Sequence, residues 1–359
     1  MSSSSQALPP ALTPAVRRRS PAGAALQASG IFTPFQYSLF LSFVTIGAMA
    51  GSAASGFLSD GIGRKGAISV ATLPLIAGWA MIYTLSTFPL LLAGRLLTGL
   101  GVGLLSALVP VYIAEISPPS HRGRLGATNQ LSVTLGILLV YVAGLDKFRL
   151  SWRDLALGAL IPLALLLLGS FALPESPSWL CARGRREEAL ASLRTLRGAG
   201  ANVRPELHEM QAAALAAAAA PPVAARDFLT RPALRTPFFL SVMLMVFQQF
   251  SGINAVIFNS AGILASTGMK NAGLAAMSVA LLQVVATGAS VALMDVAGRR
   301  PLLITAAAGM FASALSLGVA FETHRSGVAV AAMLVYIASF SIGMGPIPWL
   351  LMSEGTFFR

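Results

Sequence analysis

The chain has 359 residues, 55% of them hydrophobic and only 11% charged, with a single cysteine and a formal net charge of +12. A soluble domain carries roughly a quarter charged residues, so a water-soluble fold is excluded. One cysteine also excludes an internal disulfide and a multi-cysteine metal site. The positive charge does not argue for nucleic acid, because most of the Lys and Arg residues lie in short loops between apolar runs or in one long central loop, where they report membrane topology.

Residues 1–34 are rich in Ser, Pro, Ala and Arg, and no acidic residue precedes Asp60. They read as a disordered N-terminal segment or a targeting peptide. Nine apolar runs follow, at 35–58, 67–86, 90–114, 126–144, 152–172, 237–265, 272–294, 301–321 and 327–352. Each is long enough to cross about 30 Å of hydrocarbon as a helix. The fold class is therefore an all-α polytopic membrane protein. Five spans occupy residues 35–172 and four occupy 237–359. Between them, 173–236 is a cytoplasmic linker with helical character around 185–197. Its run "AAALAAAAAPP" at 212–222 reads as a short helix stopped by Pro221 and Pro222.

Arg64 and Lys65, Arg122 and Arg124, the Arg-rich linker, and Arg299 and Arg300 fall in alternate loops, which places those loops on the cytoplasmic side. Two of these loops echo each other, "DGIGRK" at 60–65 and "DVAGRR" at 295–300. One span precedes the first copy, whereas two lie between the linker and the second. Four spans follow the first copy before the linker, and two follow the second. Equivalent halves would hold six spans each, so the expectation is a twelve-span protein whose first and last two spans are absent here. A nine-span protein is the alternative.

The charges at the cytoplasmic ends are Asp60, Arg64, Lys65, Glu115, Arg122, Glu175, Asp295, Arg299, Arg300 and Glu354. From composition alone they serve equally well as topology anchors or as a gating network. Inside the apolar runs stand the amides Gln130, Gln248, Gln249, Asn254, Asn259 and Gln283. Amides in hydrocarbon need partners. They either bond neighbouring helices or face a wet cavity and bind a neutral ligand rich in hydroxyls, since an amide offers both donor and acceptor. Gln248, Gly252, Ala255 and Asn259 share one helical face, and Gly252 is a place for the helix to break. Trp349 follows "GPIP", whose prolines interrupt the span, and an indole can stack on a pyranose face. "GLGVG" at 99–103 has the glycine spacing of a dinucleotide fingerprint but lies inside an apolar run with no strand before it, so it reads as close helix packing and no cofactor is called for. Arg95, a charge within a span, is expected to snorkel to the non-cytoplasmic rim. His121, His208 and His324 fall in separate loops without metal-ligand spacing. No Ser-His-Asp or paired-carboxylate constellation points to an enzyme.

Seven strings in order carry a resemblance: "GFLSDGIGRK" (56–65), "GRLLTGLGVGLLSALVPVYIAEISPPSHRG" (94–123), "NQLSVTLGI" (129–137), "PESPSWL" (174–180), "QQFSGINAV" (248–256), "DVAGRRPLL" (295–303) and "GPIPWLLMSE" (345–354). Together they resemble the sugar porter family of the major facilitator superfamily. Within it they look most like the plant early-dehydration-responsive sugar transporters and the animal intracellular glucose transporters. The resemblance implies the major facilitator fold of two six-helix halves, here with about nine transmembrane helices. It implies alternating-access transport of a monosaccharide, a hexose such as glucose, with the lipid bilayer as surroundings. Gln130, Gln248, Gln249, Asn254, Gln283 and Trp349 match the family's sugar-contacting positions. The ten cytoplasmic charges match groups that interlock between the halves when that side is closed. Ser178 stands where the family has an arginine, and Asn259 where it usually has a tyrosine. The family's proton-coupling aspartate belongs to the absent first span, so facilitated diffusion is the expectation and proton symport the alternative. A non-transporting sugar sensor or an inactive truncated isoform is a further alternative, and the chain as it stands is not expected to carry sugar as a complete porter does. The sequence does not choose between the plasma membrane and a vacuolar or other organelle membrane.

Overall fold

The computed structural model of the protein describes residues 33–85, 87–148, 150–198, 200–220, 226–257, 272–323 and 325–353. The expectations for residues 1–32, Asn259, His324 and Glu354 lie outside these, as does the side chain of Asp295.

The first helix, α1 (Pro34–Thr84), has 51 residues. At 1.5 Å per residue it would run roughly 75 Å, more than twice the hydrocarbon thickness, so it crosses twice. The turn is a single residue, Gly63, at φ 86° and ψ 170°, a conformation open only to glycine. The sequence suggested a loop over 59–66, but helix continues on both sides of this one residue. The remaining membrane-length helices of the first set are α2 (Phe88–Ile116), α3 (Arg122–Ala143) and α4 (Trp152–Ala172). Three helices form the linker, α5 (Pro177–Ala182), α6 (Arg186–Arg197) and α7 (Arg204–Ala219). The last of these ends just before the Pro pair, as the missing proline amides require. A short α8 (Asp227–Thr230) leads into α9 (Pro232–Phe250), α10 (Ala272–Ala297), α11 (Arg299–Glu322) and α12 (Ser326–Ser339). A π turn at Phe340–Met344 then joins α12 to α13 (Pro346–Ser353).

Among the described residues, eight helices are long and apolar enough to cross a membrane. With α1 counted as two passes, this matches the nine apolar runs. Phe57, Phe171, Val285 and Phe311 are each more than 60% exposed. Large apolar side chains facing outward in this way fit a hydrocarbon solvent.

α1 and α2 pack by glycine contact. A Cβ on Gly47, Gly51, Gly99 or Gly103 would strike the backbone carbonyl of the other helix, so "GLGVG" is the seam of a tight helix pair. Arg95 packs among aromatic rings. Its guanidinium lies 4.2 Å from the centroid of the Phe40 ring and 5.8 Å from that of Trp79, and its Nε is buried without a hydrogen-bond partner. The aromatic faces take the place of a polar escape route. The linker has its own small core of Leu180, Cys181, Ala189, Leu193, Val203 and Leu207. It docks on the first set of helices through the Tyr112 hydroxyl, which donates to Pro174 O at 2.7 Å, and through Arg197, which donates to Ile116 O at 2.8 Å.

Candidate functional site

The two sets of membrane helices meet around a cavity of about 390 Å³, within the range of small-molecule sites. All six sequence-nominated residues, Gln130, Gln248, Gln249, Asn254, Gln283 and Trp349, line it. Ser106 and Asn129 add further polar groups, and the rest of the wall is apolar. Among the described residues that line it, none is charged.

Each wall follows from a local break or a local face. Gln130 projects from α3 and Gln283 from α10. Gln248 and Asn254 would point to different sides of an uninterrupted helix, six residues being far from a whole number of turns. Gly252, at φ 81°, breaks the helix between them and turns Asn254 into the cavity. Asn254 Nδ2 then donates to Gln249 Oε1 at 2.9 Å. Gln248 is only 3% exposed, and its Nε2 donates to Met344 O at 2.7 Å and Gly345 O at 3.1 Å. Its Oε1 is buried with no partner, and so is Gln283 Oε1. A buried acceptor without a donor is expensive, and two of them bordering one cavity are what a ligand with hydroxyl donors would satisfy.

Near the ends of α3 and α11 that carry Arg122 and Arg299 lies an apolar cluster that joins the two helix sets, the seal. Ala127 of α3 packs with Met294 of α10, Leu302 of α11, and Ile347 and Leu350 of α13. Next to it, a Cβ on Gly126 would run into the Leu350 side chain. Small residues on α3 therefore let α13 close against it. Sequence reasoning missed this seal, since nothing distinguishes these apolar residues from ordinary core. Asn129 and Ser106 were also missed, although Asn129 is the immediate neighbour of Gln130.

The cytoplasmic charges gather in the first set of helices. Arg64 pairs with Glu115 at 2.9 Å and with Asp60 at 3.2 Å. Glu175 Oε1 accepts from the backbone N–H of Arg64 at 2.8 Å, Lys65 at 3.2 Å and Ser176 at 2.8 Å. The carboxylate thus caps the helix that restarts after Gly63, where a negative charge is favoured. Lys65 Nζ donates to Phe171 O at 2.8 Å. Trp179 and Arg183 of the linker both donate to Asp60 O. Arg122 begins α3 with its Nε buried and unpartnered. Arg299 and Arg300 begin α11 after Gly298, which repeats the Gly63 conformation at φ 78° and ψ 162°. The described contacts of Asp60, Arg64, Lys65, Glu115 and Glu175 run within the first set and the linker.

This architecture is that of a membrane carrier, with two helix sets flanking an uncharged polar cavity closed at one end. The family model for sugar (and other) transporters matches residues 9–356, and the chain belongs to that family. Sugar transporter ERD6-like 6 of Arabidopsis thaliana is 41% identical over 93% of this chain and 70% of its own length. The mouse facilitated glucose transporter member 8 is 38% identical over 88% of this chain and 69% of its own length. Among solved structures, the proton:xylose symporter XylE bound to 6-bromo-6-deoxy-D-glucose has a TM-score of 0.79 at 28% identity, covering 92% of this chain and 77% of that one. The protein is therefore an integral, multi-pass membrane protein of the major facilitator type.

Proposed function

We propose that the protein carries a neutral monosaccharide, a hexose such as glucose, across a membrane by alternating access. The observation that carries this reading is the cavity itself. Six amides and an indole converge on one space between the two helix sets, with no formal charge among the described lining residues and two amide oxygens left for a donor. Hydroxyls supply both donors and acceptors, and the Trp349 ring offers a flat apolar surface for a pyranose face. The seal at Ala127, Ile347 and Leu350 supports a state in which the sugar is kept from the cytoplasm. Rocking the two sets apart there would release it.

The described lining holds side chains suited to holding a sugar rather than to reacting with it: amides, one serine, an indole, a phenyl ring and aliphatic groups. We therefore read the protein as a carrier and not as an enzyme. Coupling to protons generally uses an ionisable group within the membrane; among the described residues that line the cavity none is a carboxylate, and we read the carrier as working by facilitated diffusion, with proton symport as the alternative. The ion pairs of Arg64 with Glu115 and Asp60, and the capping by Glu175, support a gating role for the cytoplasmic charges. They hold the Gly63 turn in one shape, and Arg122, Asp295, Arg299, Arg300 and Glu354 are proposed to complete this network.

The test is uptake of labelled D-glucose into liposomes holding the purified protein, with L-glucose and a charged solute as competitors. The expected result is saturable, D-selective uptake, slower than that of a complete porter and insensitive to an imposed pH gradient. Gln130→Ala should raise KM about fivefold, the loss of one hydrogen bond of about 1 kcal/mol. Equal movement of D- and L-glucose would overturn the reading. Dependence on the pH gradient would replace uniport by symport.

A further inference from the structure

Two helices that wall the cavity are broken, and a break leaves backbone carbonyls without their usual donors. In a regular helix the carbonyl of residue 342 accepts from the N–H of residue 346, and that of 344 from the N–H of 348. Residues 346 and 348 are both proline and have no N–H to give. The structure supplies a side chain for each orphan. Ser290 Oγ, from α10, donates to Ile342 O at 2.6 Å. Gln248 Nε2, from α9, donates to Met344 O at 2.7 Å. Just before the prolines the backbone runs in a π turn, in which Gly345 N–H reaches back to Phe340 O at 2.8 Å.

The break in α9 is served in the same way. Ser251 Oγ donates to Gln248 O at 2.6 Å, and the Tyr336 hydroxyl, from α12, donates to Ser251 O. The two broken helices therefore hold each other: α9 caps the turn after α12, and α12 caps the turn in α9. Ser290 and Tyr336 are 0% and 5% exposed, so water does not stand in for either partner. Phe340 and Trp349, on opposite sides of the proline turn, both line the cavity. The shape of the turn sets where they stand.

We propose that Ser290 is a positioning residue for the sugar site. It replaces the amide that Pro346 lacks and so fixes the turn that aims Trp349 and Phe340 into the cavity, with Tyr336 doing the same for the turn ahead of Asn254. The inference rests on the hexose reading above. It predicts a specific dependence: the Ser290 hydroxyl matters only while residue 346 is proline. Restoring an N–H at 346 gives Ile342 O a donor from its own helix, and Ser290 then becomes dispensable.

The experiment is a double-mutant cycle of Ser290→Ala and Pro346→Ala on the purified protein, read by D-glucose quenching of tryptophan fluorescence and, without sugar, by Tm. Ser290→Ala alone is expected to weaken D-glucose binding about fivefold and lower Tm. In the Pro346→Ala background it should change neither. Additive losses would overturn the inference. If Pro346→Ala does not fold, Ser290→Cys decides. The thiol fills nearly the same space but donates weakly, so a donor role makes it behave like Ser290→Ala, whereas a role in packing alone makes it behave like the parent and refutes the inference. A parent protein that gives no response to hexose would sink the transport reading, and the Tm cycle would still decide the pairing of Ser290 with Pro346. A responsive parent with an equally responsive Ser290→Ala would sink only this inference.

Discussion

Gly63 and Gly298 offer a matched pair of substitutions. Both sit at the same place in the repeated motif and in the same glycine-only backbone region, at φ 86° and 78°. An alanine at either position suffers the same backbone strain, about 2 kcal/mol. Their surroundings differ. A Cβ at Gly298 meets only Pro301 Cδ at 4.0 Å, whereas one at Gly63 would strike the Glu175 carboxylate. Gly63→Ala must therefore also displace a carboxylate that accepts three backbone N–H groups. Hydrogen bonds to a charged group contribute about 1.5–3 kcal/mol each when measured singly, but this carboxylate is partly exposed and its bonds are not independent. An additional loss of about 2 kcal/mol is the reasonable figure. Gly63→Ala should then lower Tm by about 4 °C more than Gly298→Ala does, at roughly 2 °C per kcal/mol for a chain of this size. The assay is thermal unfolding of each purified variant in the same detergent. In a Glu175→Ala background the new methyl has room, and the gap between the two variants should close. Equal losses in the parent, or a gap that persists without Glu175, would refute the capping role assigned to that carboxylate.

Two further outcomes are expected. Gln283→Leu removes a buried acceptor that has no partner in the structure, so Tm should hold or rise while D-glucose binding falls about fivefold; a fall in both would show that Gln283 serves packing and not ligand binding. Burial in the linker core pushes the Cys181 thiol above its ordinary pKa. Because the thiolate is the reactive form, maleimide labelling of the native protein should be slow at pH 7 and quicken only above the ordinary thiol range, and labelling as fast as that of a free cysteine would place Cys181 at the surface.

The membrane passes were legible because hydropathy is a strong, additive signal. The two echoing loops were legible because the motif repeats, but that each turns on one glycine, Gly63 or Gly298, was not. The six cavity residues stood out because an amide is conspicuous among Leu, Ala and Val. Other features left no such mark. Ser290 and Tyr336 look like ordinary span residues, since a donor to a distant carbonyl has no local pattern. Ala127, Ile347 and Leu350 seal the cytoplasmic end with side chains indistinguishable from core. Gln248 was nominated for the ligand, and its Nε2 serves the backbone of a neighbouring helix as well, a second duty that only three-dimensional contact reveals. Arg95 was expected to seek a polar rim; the Phe40 ring it lies on was 55 residues away in sequence and beyond any periodicity argument.

The glycine seam between α1 and α2 leaves no slack. With carbonyls seated where side chains would otherwise stand, neither helix can roll or slide without pushing its neighbour's backbone aside. The second set carries its helix breaks at Gly252 and at the proline turn, spanned by single hydroxyl and amide bridges. The molecule is therefore mechanically lopsided, an anvil facing a jointed jaw. Substitutions that tune how fast it works should accumulate in the jaw, and the anvil should tolerate almost none.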